Sequence, residues 1–387
     1  MPLEDTIGLL EELAAIRKSE TAAALRRGRK VIGYLCAYVP HELIRACGAI
    51  PVRLAHGGNR AGRTRGERYV RIDACPFCRD CLGQLEDEPE LRELSALVVA
   101  SPCDQVRRLP EVLGLHFGIQ VLHISVPRTR TSELTQRLFR QEVRKLAAEL
   151  EVLTGNQLTG EGLARTMLDE EEKRARLRAI NELRKDSAPV VSQSQMLRLV
   201  AAADVLSGPD CVALLRQSRV ALEIDKRVRL EQQSDRRPRL LLAGSLLACG
   251  DLDLVKMIEE RADIVADLLC TGTRCFHSQL DVPQTRDRDR LLDALADFHY
   301  RAPSCIHERP NRSYYGLARR LTQDYRVQGA VYRSLLFCDG YEFEAVRLER
   351  ELKIPFLHIS GDYGDLSQER LRTRVESFLE TLSSAAG

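Results

Sequence analysis

The chain has 387 residues, 44% of them hydrophobic and 29% charged, enough apolar material for two domains under a solvated surface. Fifty-eight Lys and Arg face 56 Asp and Glu, a balance that argues against a dedicated nucleic-acid binder. No run of about 18 apolar residues could span a bilayer. The acidic, amphipathic start "MPLEDTIGLLEELAAIRK" is not a secretory signal, so a cytoplasmic protein is expected.

Short apolar runs over 31–38, 50–55, 95–101 and 121–126 read as buried parallel strands, each separated by a turn or helix. "ELTQRLFRQEVRKLAAELEVLTG" then reads as a helix whose apolar stripe is Leu134, Leu138, Val143, Leu146, Leu150 and Leu153. Helical signals continue over 158–184, 192–205 and about 208–231, with breaks at Gly155, "DSAP" and "SGPD". The strand rhythm returns at 239–245, 262–270, 329–338 and 354–360, and a last amphipathic helix covers roughly 367–382. "VLHISVPR" and "FLHISGDY" echo each other between the halves. The expected fold is α/β, with two flavodoxin- or Rossmann-like parallel-sheet domains over 1–130 and 236–387 joined by a helical region over 131–235.

Twelve cysteines in a reducing compartment point to metal or redox chemistry rather than a disulfide framework. Cys36, Cys103, Cys270 and Cys338 fall at or just beyond predicted strand ends, where open α/β sheets bind ligands. In "ACPFCRDCLG", Cys75, Cys78 and Cys81 lie three residues apart, a spacing that suits zinc or an iron–sulfur cluster. Cys103 in "SPCDQVRR" and Cys338 in "LLFCDGYE" share a Cys-Asp pair after an apolar strand, one per domain, and favour a cluster that bridges the domains. Cys47, Cys211 and Cys249 read as buried filler.

Taken in order, "GYLCAYVPHELIRACGAIPVRLAHGG", "ACPFCRDCLG", "SPCDQVRRL", "AINELRK", "DLLCTGTRCF" and "FCDGYEFEAVRLERELKIPFLHISGDYG" resemble the 2-hydroxyacyl-CoA dehydratase and benzoyl-CoA reductase family across nearly the whole chain. The resemblance implies an oxygen-sensitive [4Fe-4S] cluster between two flavodoxin-like domains, carried over to Cys75, Cys103 and Cys338, with no flavin expected. It implies one-electron, ketyl-radical chemistry on an acyl-CoA under anaerobic conditions. A separate ATP-hydrolysing iron–sulfur activator protein would supply the electron, and no Walker sequence for ATP appears in this chain. The chain would pair with itself or with a homologous second subunit. A branch of the family, the double-cubane cluster proteins, carries an [8Fe-9S] cluster on six thiolates and reduces small molecules. Cys270 and Cys305 match that branch, and Cys78 or Cys81 would complete the set. A non-catalytic partner or electron-relay subunit is a third expectation.

Glu42, in "VPHELI", is an acid–base or gating candidate near the expected crevice, or simply a first-turn carboxylate. The Gly- and Arg-rich segment 56–71 reads as a CoA phosphate clamp or a solvated loop. Asp104 and Asp339 read as helix caps, "GDYG" as a turn or crevice liner, and His41 as a surface or helix-start residue, while His277 and His307 read either as exposed histidines or as groups that hydrogen-bond cluster sulfur or donate a proton.

Overall fold

The computed structural model describes residues 19–55, 58–206, 208–231, 237–248, 251–364 and 368–384. The amphipathic start and Cys249 lie outside the described residues.

The first sheet is built from β1 (Val31–Leu35), β2 (Ile50–Arg53), β3 (Ala96–Ser101) and β4 (Val121–Ser125), all parallel, in the order β2-β1-β3-β4. Helices α1 (His41–Ala46), α2 (Arg60–Gly66), α3 (Pro76–Asp87), α4 (Pro89–Arg92) and α5 (Asp104–Phe117) connect these strands. The central strands β1 and β3 are buried at every position, which is why "VIGYL" and "ALVVAS" are continuous apolar runs rather than alternating ones. Pro51 lies on the edge strand β2, where its missing N–H costs no ladder bond.

Four helices follow: α6 (Glu133–Thr154), α7 (Gly160–Asn181), α8 (Gln193–Val205) and α9 (Gly208–Glu231). Ser132 caps α6 and Gly155 ends it at φ 71°, and a capping box of Ser192 and Gln195 opens α8. The buried face of α6 is Phe139, Val143, Leu146, Ala147 and Leu150. Leu134 and Leu138, expected on that stripe, are 57% and 45% exposed. Helix α6 packs on α11 and β4, and its first turn meets α11 through polar groups, Thr135 with Tyr300 at 2.8 Å and Gln136 with Asp297 at 2.7 Å, which leaves Leu134 and Leu138 on the outer side.

The second sheet repeats the first. Strands β5 (Arg239–Gly244), β6 (Asp263–Asp267), β7 (Gly329–Leu335) and β8 (Phe356–Gly361) run parallel in the order β6-β5-β7-β8. The helices of this half are α10 (Leu252–Glu259), α11 (Arg288–Arg301), α12 (Arg312–Asp324), α13 (Asp339–Leu352) and α14 (Gln368–Ser384). One apolar cluster runs from Ile32 and Val98 in the first sheet, through Phe139 and Leu163, to Leu241, Val265 and Tyr332 in the second. Each fully buried aliphatic side chain in such a core contributes about 1.5–3 kcal/mol. The two sheets are therefore held at a fixed separation by shared packing. Among the described residues no helix is long and apolar enough to cross a membrane.

Candidate functional site: a thiol-lined cavity between the sheets

In each sheet the strand order reverses direction between the two central strands, β1/β3 and β5/β7. Loops leaving such a pair diverge to opposite sides and open a crevice at the strands' C-terminal ends. Here both crevices face one open-sided cavity of about 800 Å³. It is lined by Leu35, the last residue of β1, and Cys36 after it, Pro102 and Cys103 after β3, Ser245 and Leu246 after β5, and Leu335, the last residue of β7, with Cys338 after it. Cys75, Cys270 and Cys305 complete a set of six cysteines on its wall.

The three core candidates share a local geometry. Cys75 is the N-cap of α3, Cys103 of α5 and Cys338 of α13, and none makes a side-chain cap bond. Three helix N-termini, with their positive ends and spare N–H groups, therefore converge beside the thiols. Asp104 and Asp339 occupy the first turn rather than the capping position expected of them, and Asp104 pairs with Arg128 at 2.9 Å.

Helix α3 is fixed against both sheets. Arg79, 1% exposed, bonds Glu67 at 2.6 Å, the Ala74 carbonyl at 3.0 Å and Asp362 at 2.6 Å, just past β8. Arg63 joins Asp362 at 2.5 Å. Close approach of α2 to α3 requires glycine: a Cβ at Gly66 would sit 1.8 Å from the Arg79 carbonyl oxygen, and one at Gly83 1.8 Å from that of Gly62. Arg60–Gly66 of the Arg-rich segment is helical rather than a loop, while Arg68 and Arg71 beyond it are exposed. In the helix Arg65 pairs with Asp87, and past its end Arg68 pairs with Glu86. Likewise "GDYG" supplies a buried ion-pair hub, Asp362, rather than a cavity wall.

Cys78 and Cys81 are buried in the same helix but do not line the cavity. Cys78 lies against Cys75, and the Cys81 thiol points at the Leu54 carbonyl, 3.5 Å away. Cys36 lines the cavity instead, with a left-handed backbone at φ 75°, a strained conformation for a residue with a Cβ. Cys47 and Cys211 are buried in apolar clusters, as expected of filler.

The thiols shift one another's acidity in both directions, and with burial the net direction is upward. Its contact with Cys338 lowers the Cys75 pKa, but the bond to Cys78 and burial outweigh it, and the net shift is well upward. The Cys75 contact, then burial, drives Cys338 far upward as well. Burial pushes Cys103 to about 11 and Cys36 to about 12. Burial raises thiols in this way wherever they sit, Cys47 to about 11 among them, so only their placement around one cavity bears on ligand binding. The donors are soft sulfur, and they ring a cavity rather than converge on one point. That arrangement fits an iron–sulfur cluster, whose several irons each take one thiolate. Arg53 and Arg274, both buried, line the same cavity and add fixed positive charge. His307 lines it too; burial depresses its pKa to about 4, so the ring is neutral near pH 7 rather than a surface histidine. Burial also lowers His277, to about 4.

A second cavity, about 680 Å³, adjoins the first. Ala37, Arg53, Arg274 and Pro303 line both. Behind its wall lies Glu42, fully buried in the first turn of α1. It accepts from Arg174 at 2.9 Å and bonds His299 at 2.9 Å, with His41 3.7 Å away. Burial alone would raise its pKa; His299 and His41 outweigh that, with Arg174, and hold it well below the usual range. Glu42 is an ionised anchor adjoining the site and does not line either cavity. Sequence reasoning missed Arg53, Arg174, Arg274 and His299. Arg53, ending the apolar run "IPVR", carried a signal of charge in an apolar setting, whereas Arg174, inside "DEEEKRARLR", carried none.

A family model for the 2-hydroxyglutaryl-CoA dehydratase D-component matches residues 36–382. Relatives include a protein of Escherichia coli named for a dehydratase subunit role, YjiM, 24% identical over 92% of this chain and 92% of its own length. The (R)-phenyllactyl-CoA dehydratase beta subunit of Clostridium sporogenes is 22% identical over 92% of each chain. A benzoyl-CoA reductase subunit of Thauera aromatica is 23% identical over 92% of this chain and 91% of its own. With that coverage, and two parallel sheets whose switch points share a thiol-lined cavity, the chain belongs to the 2-hydroxyglutaryl-CoA dehydratase D-component family of dehydratase and reductase subunits.

Proposed function

We propose that the chain is the iron–sulfur subunit of a 2-hydroxyacyl-CoA dehydratase-like enzyme, with Cys75, Cys103 and Cys338 holding a [4Fe-4S] cluster between the two sheets. The observation that carries this reading is the convergence of those three thiols, from three helix N-termini and both sheets, on one cavity. When bound, such a cluster supplies a low-potential electron and an iron with no protein ligand that can accept a substrate oxygen.

The chain's own residues provide the setting. The helix N-termini and the Arg53 and Arg274 guanidinium groups favour negative charge in the cavity. Leu35, Phe77, Val106, Leu246 and Leu335 keep its walls apolar and limit water around the thiols. Neutral His307 and the Tyr341 hydroxyl offer hydrogen bonds on the same wall. The substrate is an acyl-CoA. The partners are an ATP-hydrolysing activator and a homologous or identical second subunit.

One observation favours a second reading. Cys36, Cys270 and Cys305 line the same cavity as the core three, giving six thiols without Cys78 or Cys81. That number suits an [8Fe-9S] double cubane and reduction of small molecules. Anaerobic purification with iron and sulfide analysis tests both. About four irons per chain supports the single cluster and about eight the double one, while a colourless, iron-free chain after reconstitution contradicts both.

A further inference from the structure

The second cavity is walled by three guanidinium groups whose hydrogen-bonding capacity is incompletely used. Arg53 gives Nη1 to Asp204 at 3.2 Å and to the Cys275 sulfur at 3.3 Å, and Nη2 to the Cys270 carbonyl at 2.8 Å. Arg174 gives Nε to Glu171 at 3.0 Å and Nη1 to Glu42 at 2.9 Å. Arg274 gives Nε to the Pro303 carbonyl at 2.8 Å. Arg53 Nε, Arg174 Nη2 and Arg274 Nη1 are buried with no hydrogen-bond partner. All three side chains line this one cavity, and all three residues are at least nine-tenths buried.

A buried cationic N–H without an acceptor carries a desolvation cost that nothing returns. Arg274 is the sharpest case. Among the described residues it has no carboxylate within ion-pair distance; its contacts are the Pro303 carbonyl and the Tyr314 ring, 5.7 Å from its guanidinium carbon. The carboxylates that line the cavity are already engaged. Glu170 meets Lys173 at 2.6 Å, Arg45 at 3.0 Å and His41 at 3.2 Å, and Asp204 meets Arg53. Leu177, Val200, Phe276 and Phe298 make the remaining wall apolar, a setting in which one anion would be held strongly.

We propose that this second cavity binds a small oxoanion, a carboxylate or a phosphate, through Arg53, Arg174 and Arg274. Planar guanidinium groups match the paired oxygens of such anions. Because Arg53 and Arg274 also line the thiol cavity, a ligand anchored here by its acid end extends its other end toward the thiols. That orientation rests on the functional reading above; the anion site does not.

The test is calorimetric titration of malonate and of inorganic phosphate into the anaerobically purified full chain, with iron content measured on the same samples. Saturable binding of one anion per chain is expected. Arg274→Gln should weaken it about tenfold or more, the loss of one charge-assisted hydrogen bond, and Arg274→Lys should restore part of it. A preference for malonate identifies a carboxylate ligand and a preference for phosphate a phosphorylated one; either supports the site. If Arg274→Gln does not fold, Arg174→Gln must show the same loss. Absence of saturable binding of both anions, or equal affinity in wild type and folded variant, overturns the proposal. Iron content reports separately on the cluster reading, so the two can fail independently.

Discussion

Cys103 and Cys338 occupy equivalent stations in the two sheets: each follows the inner strand beside the switch point, each is the N-cap of the next helix, and each is followed by Asp. The duplicated topology thus delivers two thiols to one cavity from residues 235 positions apart, and Cys75 meets Cys338 there.

The other cavity thiols separate the two cluster readings. Cys81→Ala should retain the wild-type iron content, because its thiol points at the Leu54 carbonyl and away from the cavity. In the single-cluster account Cys36→Ser and Cys270→Ser also retain about four irons per chain, since the core trio is intact. A fall from about eight irons toward half in either variant establishes the double cubane.

Glu42 should make stability depend on pH. Its folded pKa is depressed by His299, His41 and Arg174, so the stabilisation is present above the ordinary carboxylate value and is lost as pH falls below it toward the folded one. Wild-type Tm should therefore hold above about pH 5 and drop as pH falls below about 4.5, measured by circular dichroism. Glu42→Gln should unfold about 3 kcal/mol more easily at pH 7, because Arg174 loses a buried partner, and should show a shallower decline in acid. A variant of unchanged stability would count against this anchoring role.

Gly83→Ala places a Cβ 1.8 Å from the Gly62 carbonyl oxygen and must push α3 away from α2. The expected cost is about 1–3 kcal/mol in denaturant unfolding. Cys75 heads that helix, so cluster retention should fall as well. Full stability together with full iron content would contradict the claim that this glycine contact positions Cys75.

Turnover should require ATP, a strong reductant and an activator protein, and should be lost in air. Sustained aerobic turnover by the chain alone, followed on an acyl-CoA, would contradict the proposed chemistry.

Much of the fold is legible in the sequence because parallel strands buried on both faces are short apolar runs, and seven of the eight observed strands fall within such runs, with β8 passing its run by one residue, Gly361. The strand-end placement of Cys36, Cys103, Cys270 and Cys338 follows from the same pattern. What escapes is burial of charge. Helix α7 carries the charged run "DEEEKRARLR", yet Glu170, Lys173 and Arg174 are all buried against neighbouring elements. No local pattern distinguishes an arginine paired across 132 positions, as Arg174 is to Glu42, from one that faces water. Nor does spacing show that Cys78 and Cys81 turn into the protein while Cys36, distant in sequence, faces the cavity.

The most direct measurement is iron per chain in anaerobically purified Cys338→Ala, beside wild type and the core control Cys211→Ala. The account predicts a brown wild type, an unchanged Cys211→Ala and a Cys338→Ala chain that folds but has lost the chromophore. Full iron content in Cys338→Ala would contradict a cluster held jointly by the two sheets.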